Sequence, residues 1–123
     1  MSASHAPALD AIAFQLVVAL DRYEADTERM VDTWLDMELY GSVSDQVEQI
    51  RMYSITMPEL AVFWVELLIA HAELVHSLWR LRFRADEANR ERIGQLHQRH
   101  ASCVASLKGR VLRVLCRSDS MGG

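Results

Sequence analysis

The chain has 123 residues, half of them hydrophobic, with only two prolines and five glycines. This composition excludes a disordered chain and is typical of one compact helical domain. We therefore expect a single domain over residues 1–123, with roughly six flexible residues at each end. The net charge of −4 excludes a surface that is basic throughout, although residues 77–123 are basic and residues 1–76 are acidic. No basic segment precedes the apolar stretch near the N-terminus, so we predict no secretory signal and a reduced, cytoplasmic protein.

The first predicted helix runs from Pro7 to Leu39, because apolar residues recur every three or four positions until Tyr40 and Gly41 end the pattern. An acidic line lies beside its apolar stripe: Asp10, Asp21, Glu24, Glu28 and Asp32. A straight helix of this length would be about 48 Å long, which predicts an elongated bundle.

A shorter helix is predicted between residues 42 and 55, with Ser42 or Ser44 as its N-cap. The next four residues, TMPE at 56–59, have the spacing of a capping box, in which Thr56 caps the following helix and Glu59 reaches back to complete the box. Pro58 suits a first helical turn. The pattern therefore predicts that a new helix begins here.

The stretch 58–82 predicts the central helix of the bundle, because it is apolar on nearly all sides. Its main stripe consists of Leu60, Trp64, Leu67, Leu74, Leu78 and Leu81. One polar strip, expected to face solvent, consists of Glu59, Glu66, Glu73, His76, Ser77 and Arg80. A membrane span is disfavoured, because three glutamates and His71 would cost more free energy on insertion than the apolar residues contribute.

Residues 82–92 carry Phe83 as their only large apolar side chain, which is typical of a solvated hairpin tip with Asp86 as the cap of a last helix, 87–117. The same stretch has no glycine or proline, so one continuous helix remains an alternative. The prediction is an all-α, elongated bundle of three long helices and one short helix, with the last two long helices forming an antiparallel hairpin.

Two histidines are predicted to lie close together, because an antiparallel hairpin with its tip near Asp86 places His71 within one turn of His100. His97 lies one turn further along. Histidines in one layer of a bundle could bind a metal or a haem. The alternative is a hydrogen-bonded pair in the core. We predict no cofactor, because a facing carboxylate is missing from the pattern.

Other catalytic patterns are weak. Glu73 and His76 have the E-x-x-H spacing of di-iron bundles, but no second copy exists and both lie on the polar strip. No nucleophile elbow and no phosphate-binding glycine loop occurs. Cys103 and Cys116 would lie about 20 Å apart on one helix, too far for a disulfide. We predict that the protein is not an enzyme.

An arginine strip on the last helix offers an alternative function, since it could contact nucleic-acid phosphates. It consists of Arg92, Arg99, Arg110, Arg113 and Arg117. The competing explanation is internal, because the acidic line of the first helix needs a basic neighbour. The overall negative charge makes nucleic acid an unfavoured partner.

The favoured interpretation is a protein–protein interaction module of adaptor, chaperone-like or regulatory type. Two long neighbours cannot cover a helix that is apolar over most of its circumference, so a second copy or an unidentified protein partner would shield the rest. The residues expected on this uncovered side are Val65, Ile69, Ala72 and Trp79. We therefore expect a homodimer that does not engage a membrane.

Overall fold

The computed structural model describes the backbone of residues 5–122 and the side chains of residues 8–116. Within this part of the chain, the helices are α1 (His5–Asp32), α2 (Met37–Ser54), α3 (Ala61–Phe83) and α4 (Glu87–Gly122), and a 3-10 turn, Pro58–Leu60, leads into α3. The all-α bundle with α3 at its predicted place is confirmed. The flexibility predicted for six residues at each end concerns residues whose side chains lie outside this description.

The first helix ends earlier than its sequence pattern predicts. Trp34 and Leu35 have positive φ angles of 53° and 72°. The Leu35 N–H donates to the Met30 carbonyl at 2.8 Å, and the Trp34 N–H donates to the Val31 carbonyl at 3.1 Å. This is the hydrogen-bond pattern of a Schellman motif, with tryptophan at the left-handed position that glycine usually occupies. The predicted helix from Pro7 to Leu39 is therefore wrong beyond Asp32.

The second helix begins at a cap that the sequence analysis did not choose. The Asp36 carboxylate accepts hydrogen bonds from the backbone N–H groups of Glu38 at 3.0 Å and Leu39 at 3.1 Å. Ser42 and Ser44, the predicted caps, lie inside α2. Aspartate directly after the Schellman turn satisfies the free N–H groups first, so the helix starts six residues earlier than Ser42 would allow.

Thr56 is not the cap of the helix that follows, so this half of the predicted capping box is wrong. The residue that precedes the 3-10 turn is Met57, and it makes no side-chain cap. The Thr56 hydroxyl instead donates to the Tyr53 carbonyl at 2.7 Å and so belongs to the end of α2. Pro58 does occupy the first turn, as predicted.

The predicted antiparallel hairpin of the last two helices is confirmed. Its tip spans residues 84–86, and the Asp86 carboxylate accepts from the Asn89 N–H at 2.8 Å, which confirms Asp86 as the cap of α4. Helix α4 packs against both α3 and α1, whereas α2 packs mainly against α1. The Arg82 guanidinium donates to the Leu35 carbonyl at 3.3 Å and joins the two interhelical turns at one end of the bundle.

The core lies between the inward faces of all four helices. It buries Leu16, Leu20, Met30, Val43, Ile50, Leu60, Leu67, Leu74, Leu78, Val104, Leu107 and Val111. Five of the six residues predicted as the main stripe of α3 are buried, and Trp64 is half-buried against this core. Because α3 buries this face in the core, most of its opposite face is exposed in the part of the chain that the structure describes.

Candidate interaction face on the third helix

The side of α3 that points away from the core is apolar. Val62 is 64% exposed, Val65 is 42% exposed and Ile69 is 47% exposed. On a helix these positions lie opposite the buried leucines, since successive residues are separated by about 100°. We call the exposed positions of this face the outer stripe: Val62, Val65, Ile69, Ala72, His76 and Phe83.

Helix α2 covers part of this side of α3 near the C-terminal end of α3. There the Tyr40 ring meets Trp79 edge-on, with ring centroids 5.8 Å apart. The Arg82 guanidinium lies 5.9 Å from the centre of the same tryptophan ring. Trp79 is therefore partly covered by its own chain, whereas the other three predicted interaction residues, Val65, Ile69 and Ala72, are exposed.

The spacing of this face is that of a helix that packs against another helix. Its positions follow one another in alternating steps of three and four, which is the heptad pattern of a coiled-coil seam. They are residues 62, 65, 69, 72, 76, 79 and 83. One flank of the seam carries a residue every seven positions: Glu59, Glu66, Glu73 and Arg80. The other flank carries Ala61, Leu68, Val75 and Arg82.

The polar strip of α3 does not face solvent throughout, contrary to the sequence analysis. Ser77 is buried, and the Glu73 carboxylate accepts from Arg99 of α4 at 3.1 Å. These two positions lie along the boundary between α3 and α4. The face that the bundle presents outward is therefore the apolar outer stripe, which reverses the usual arrangement of a surface helix.

The predicted layer of His71 and His100 is confirmed, and Tyr23 of α1 joins it. The Tyr23 hydroxyl oxygen lies 2.8 Å from His71 Nδ1 and 2.6 Å from His100 Nε2. A phenol has one hydrogen to give, so its O–H donates to one imidazole and its oxygen accepts the N–H of the other. Tyr23 and His100 are both fully buried. The three side chains therefore form a hydrogen-bonded polar layer inside the apolar core.

Burial keeps this layer neutral. It raises the pKa of the Tyr23 hydroxyl far above its ordinary value, and it lowers the pKa of His71. The pKa of His100 falls to about 4, because of burial first and then because of the neighbouring charges of His71 and His97. His97 is half-buried and is not one of the two histidines hydrogen-bonded to the Tyr23 hydroxyl. Among the described residues, no group of three histidine, cysteine or acidic side chains is arranged to hold a metal ion.

The arginine strip is divided between solvent and α3. Arg99 binds Glu73, and the Arg110 guanidinium lies 5.6 Å from the centre of the Phe63 ring. Arg92 and Arg113 are exposed, and the side chain of Arg117 lies outside the described residues.

The acidic line of α1 meets α4 at a different residue. Lys108 forms an ion pair with Asp21, and the same contact raises the pKa of the lysine. The basic neighbour that the acidic line was expected to need is therefore a lysine outside the arginine strip. This contact leaves the strip itself on the side of α4 that faces α3 and solvent.

The two cysteines do not bond to each other, and the two residues of the E-x-x-H pair lie in different surroundings. Cys103 and Cys116 are both free, as their spacing predicts, and burial raises the pKa of the Cys103 thiol. Glu73 is held by Arg99, while His76 lies exposed on the outer stripe.

A small cavity at the turn end of the bundle was not predicted. It has a volume of about 210 Å³ and is lined by Trp34, Leu78, Leu81, Arg82, Ala85 and Arg90. The Arg90 guanidinium lies 5.8 Å from the centre of the Trp34 ring. Pockets that enclose drug-sized ligands are larger, at about 300–1,000 Å³, so this cavity is a minor feature.

The segment Pro58–Phe83 is the one described segment that is long and apolar enough, by those two criteria, to cross a membrane. Of the apolar 18-residue stretch within this segment, 28% is buried in the bundle. The outer stripe and the buried leucines both contribute to this apolar character. The membrane-like composition is therefore not evidence independent of the outward apolar face.

A comparison of the chain with protein-family models, with curated proteins and with solved structures finds no match in any of the three.

Proposed function

We propose that this chain is a non-enzymatic protein–protein interaction module, and that the outer stripe of α3 binds the same stripe of a second copy. The observation that carries the proposal is an exposed apolar stripe with heptad spacing on a helix whose other face is tightly packed. Monomeric proteins rarely expose contiguous apolar patches beyond several hundred Å². A two-fold symmetric contact, in which one stripe meets its own copy, is the commonest solution.

The strength of such a contact can be bounded. Full burial of a large apolar side chain contributes about 1.5–3 kcal/mol, and the larger outer-stripe residues are roughly half exposed, so each would contribute about 1 kcal/mol. Summed over two copies, the stripe contributes on the order of 10 kcal/mol, against an association cost of about 4–15 kcal/mol. These magnitudes favour a reversible dimer whose population depends on concentration.

A lipid bilayer is the other apolar environment that the stripe would fit, and two contacts of α3 and one exposed carboxylate favour a protein partner. His71 of α3 is hydrogen-bonded to Tyr23 of α1, and Glu73 of α3 is bound to Arg99 of α4. Glu66 is exposed beside the stripe. Moving α3 into a bilayer would break both contacts and would place the Glu66 carboxylate in hydrocarbon, which costs about 3 kcal/mol if glutamate behaves like aspartate.

The test compares two variants that introduce the same charge at similar exposure. Val65→Glu lies on the outer stripe and is 42% exposed; Val18→Glu lies on α1 and is 48% exposed. In sedimentation velocity at roughly 10–100 µM, the parent chain and Val18→Glu should be dimeric, and Val65→Glu should be monomeric. Circular dichroism would show that all three remain helical.

Two results would overturn the proposal. One is a strictly monomeric parent chain at the highest of these concentrations. The other is binding of the parent chain to phosphatidylcholine vesicles that Val65→Glu abolishes and Val18→Glu retains, since the stripe would then be a lipid-binding face.

A further inference from the structure

We infer that the two copies bind antiparallel, with the two-fold axis at Glu73, so that Glu66 of one copy lies beside Arg80 of the other. This inference rests on the proposed function, because it specifies the partner's orientation on the outer stripe. It goes further by assigning a specific charge contact to two residues that are otherwise unremarkable surface groups.

The charges along α3 are divided between its two ends. The segment begins with Glu59 and Glu66 and finishes with the arginines at 80, 82 and 84. A parallel arrangement would place like charges together at both ends of the dimer, whereas an antiparallel arrangement places each acidic end beside a basic one. Opposite charges across an interface fix its orientation and register, and like charges disfavour the alternative.

The heptad positions make this argument specific. Glu66, Glu73 and Arg80 occupy equivalent positions, seven residues apart, on one flank of the stripe. In an antiparallel pair of helices, a flank faces the same flank of the partner, whereas in a parallel pair it faces the opposite flank. The opposite flank presents Leu68 and Val75 at its centre. Only the antiparallel pair therefore brings Glu66 and Arg80 into contact.

The register follows from Glu73. With the axis at this residue, Glu66 and Arg80 of the second copy lie at the same height, and the contact occurs twice by symmetry. Like charges meet only at the axis, where each Glu73 carboxylate already accepts from Arg99 of its own chain at 3.1 Å. A shift by one heptad would pair Glu59 with Arg80 but would place Glu66 against Glu73 of the second copy twice.

The same register gives compatible apolar layers. Ala72, the smallest residue of the stripe, lies within two residues (about 3 Å along the axis) of the height of His76 of the second copy. Phe83, which is 82% exposed, lies equally close to the height of Val65 of the second copy. Small residues opposite large ones, in successive layers, allow two helices to interdigitate.

The test is a charge exchange monitored by the dimer dissociation constant. Glu66→Arg and Arg80→Glu should each raise the constant about tenfold, because each places like charges at two symmetric contacts. The double variant Glu66→Arg/Arg80→Glu should return to within about threefold of the parent chain. Restoration of Arg80→Glu by Glu59→Arg, and not by Glu66→Arg, would overturn the register and shift the second copy by one heptad.

Orientation is tested separately by crosslinking in a Cys103→Ser/Cys116→Ser background, because both native cysteines are free. A mixture of Ala72→Cys and His76→Cys chains should oxidise mainly to the mixed disulfide. A parallel dimer would instead give Ala72→Cys homodimers, which would overturn the inference while leaving the proposed function in place. Absence of any dimer in the parent chain would contradict the proposed function itself.

Discussion

Tyr23 shows how far single residues can be placed from sequence. The pairing of His71 with His100 follows from counting outward from the hairpin tip at Asp86, because two helices joined by a short loop share one register. The position of α1 against that hairpin has no such anchor. Nothing in the sequence pattern indicated that the Tyr23 hydroxyl would lie between the two imidazoles, at 2.8 and 2.6 Å.

The buried histidines predict a loss of stability at acid pH. Burial lowers the pKa of His100 from 6.5 to about 4 and also lowers the pKa of His71. In the unfolded chain both return to ordinary values, so between pH 6.5 and 4 the unfolded state binds more protons than the folded state. With respect to these two groups, the free energy of unfolding should therefore have its full value above pH 6.5. It should fall as the pH drops below 6.5, by up to about 3 kcal/mol for His100 alone.

Urea unfolding at several pH values between 7.5 and 4.5 would measure this slope. His100→Gln removes the titrating group, so the variant should lose less stability over this interval than the parent chain, whatever its stability at pH 7.5. If the free energy of unfolding had the same slope against pH in the parent chain and the variant, folding would not lower the pKa of His100.

At the scale of elements, the sequence predicted the helical class, the place of α3, the hairpin and the Asp86 cap. It failed between α1 and α2, for a physical reason. Two non-glycine residues in the left-handed region cost roughly 1–2 kcal/mol each. Burial of Leu35, which is 1% exposed, offsets about 1.5–3 kcal/mol of that cost. Because tertiary packing determines this turn, local sequence carries no glycine or proline signal for it.

The candidate site divides in the same way. Exposure of Val65, Ile69 and Ala72 followed from the number of neighbours that α3 would need, which sequence can estimate. The partial cover of Trp79 by Tyr40 and the position of the polar strip against α4 depended on where α2 and α4 lie around α3. Periodicity describes one helix at a time and does not determine that arrangement.

Asp36 should matter more to stability than the serines that local sequence favours as caps. Asp36→Ala removes two hydrogen bonds to the first turn of α2 and should lower the free energy of unfolding by about 1 kcal/mol. Ser42→Ala, an exposed position inside the helix, should change it by less than about 0.5 kcal/mol. Urea denaturation of both variants would test this order. The reverse order would mean that α2 begins near Ser42.

For the whole molecule, the acidic first part and the basic last part are brought together by the fold. Lys108 of α4 binds Asp21 of α1, and Arg99 of α4 binds Glu73 of α3. Both pairs are largely exposed, and such pairs contribute only about 0–1 kcal/mol each. Stability therefore depends mainly on apolar burial, and the largest apolar surface still available for burial in α3 is the outer stripe.

If a second copy covers that stripe, thermal stability must depend on protein concentration. Association stabilises the folded state by mass action, so each tenfold rise in concentration above the dissociation constant contributes about 1.4 kcal/mol per dimer. For two chains of this size that corresponds to a rise in Tm of roughly 3–5 °C. Val65→Glu should have the same Tm at all concentrations, and Val18→Glu should behave as the parent chain does.

Because apolar contacts would hold the dimer, about 0.5 M NaCl should preserve the concentration dependence of the parent chain. Scanning calorimetry at two concentrations and two salt levels would measure all of these, and a Tm of the parent chain that is independent of concentration would contradict a dimer in this range.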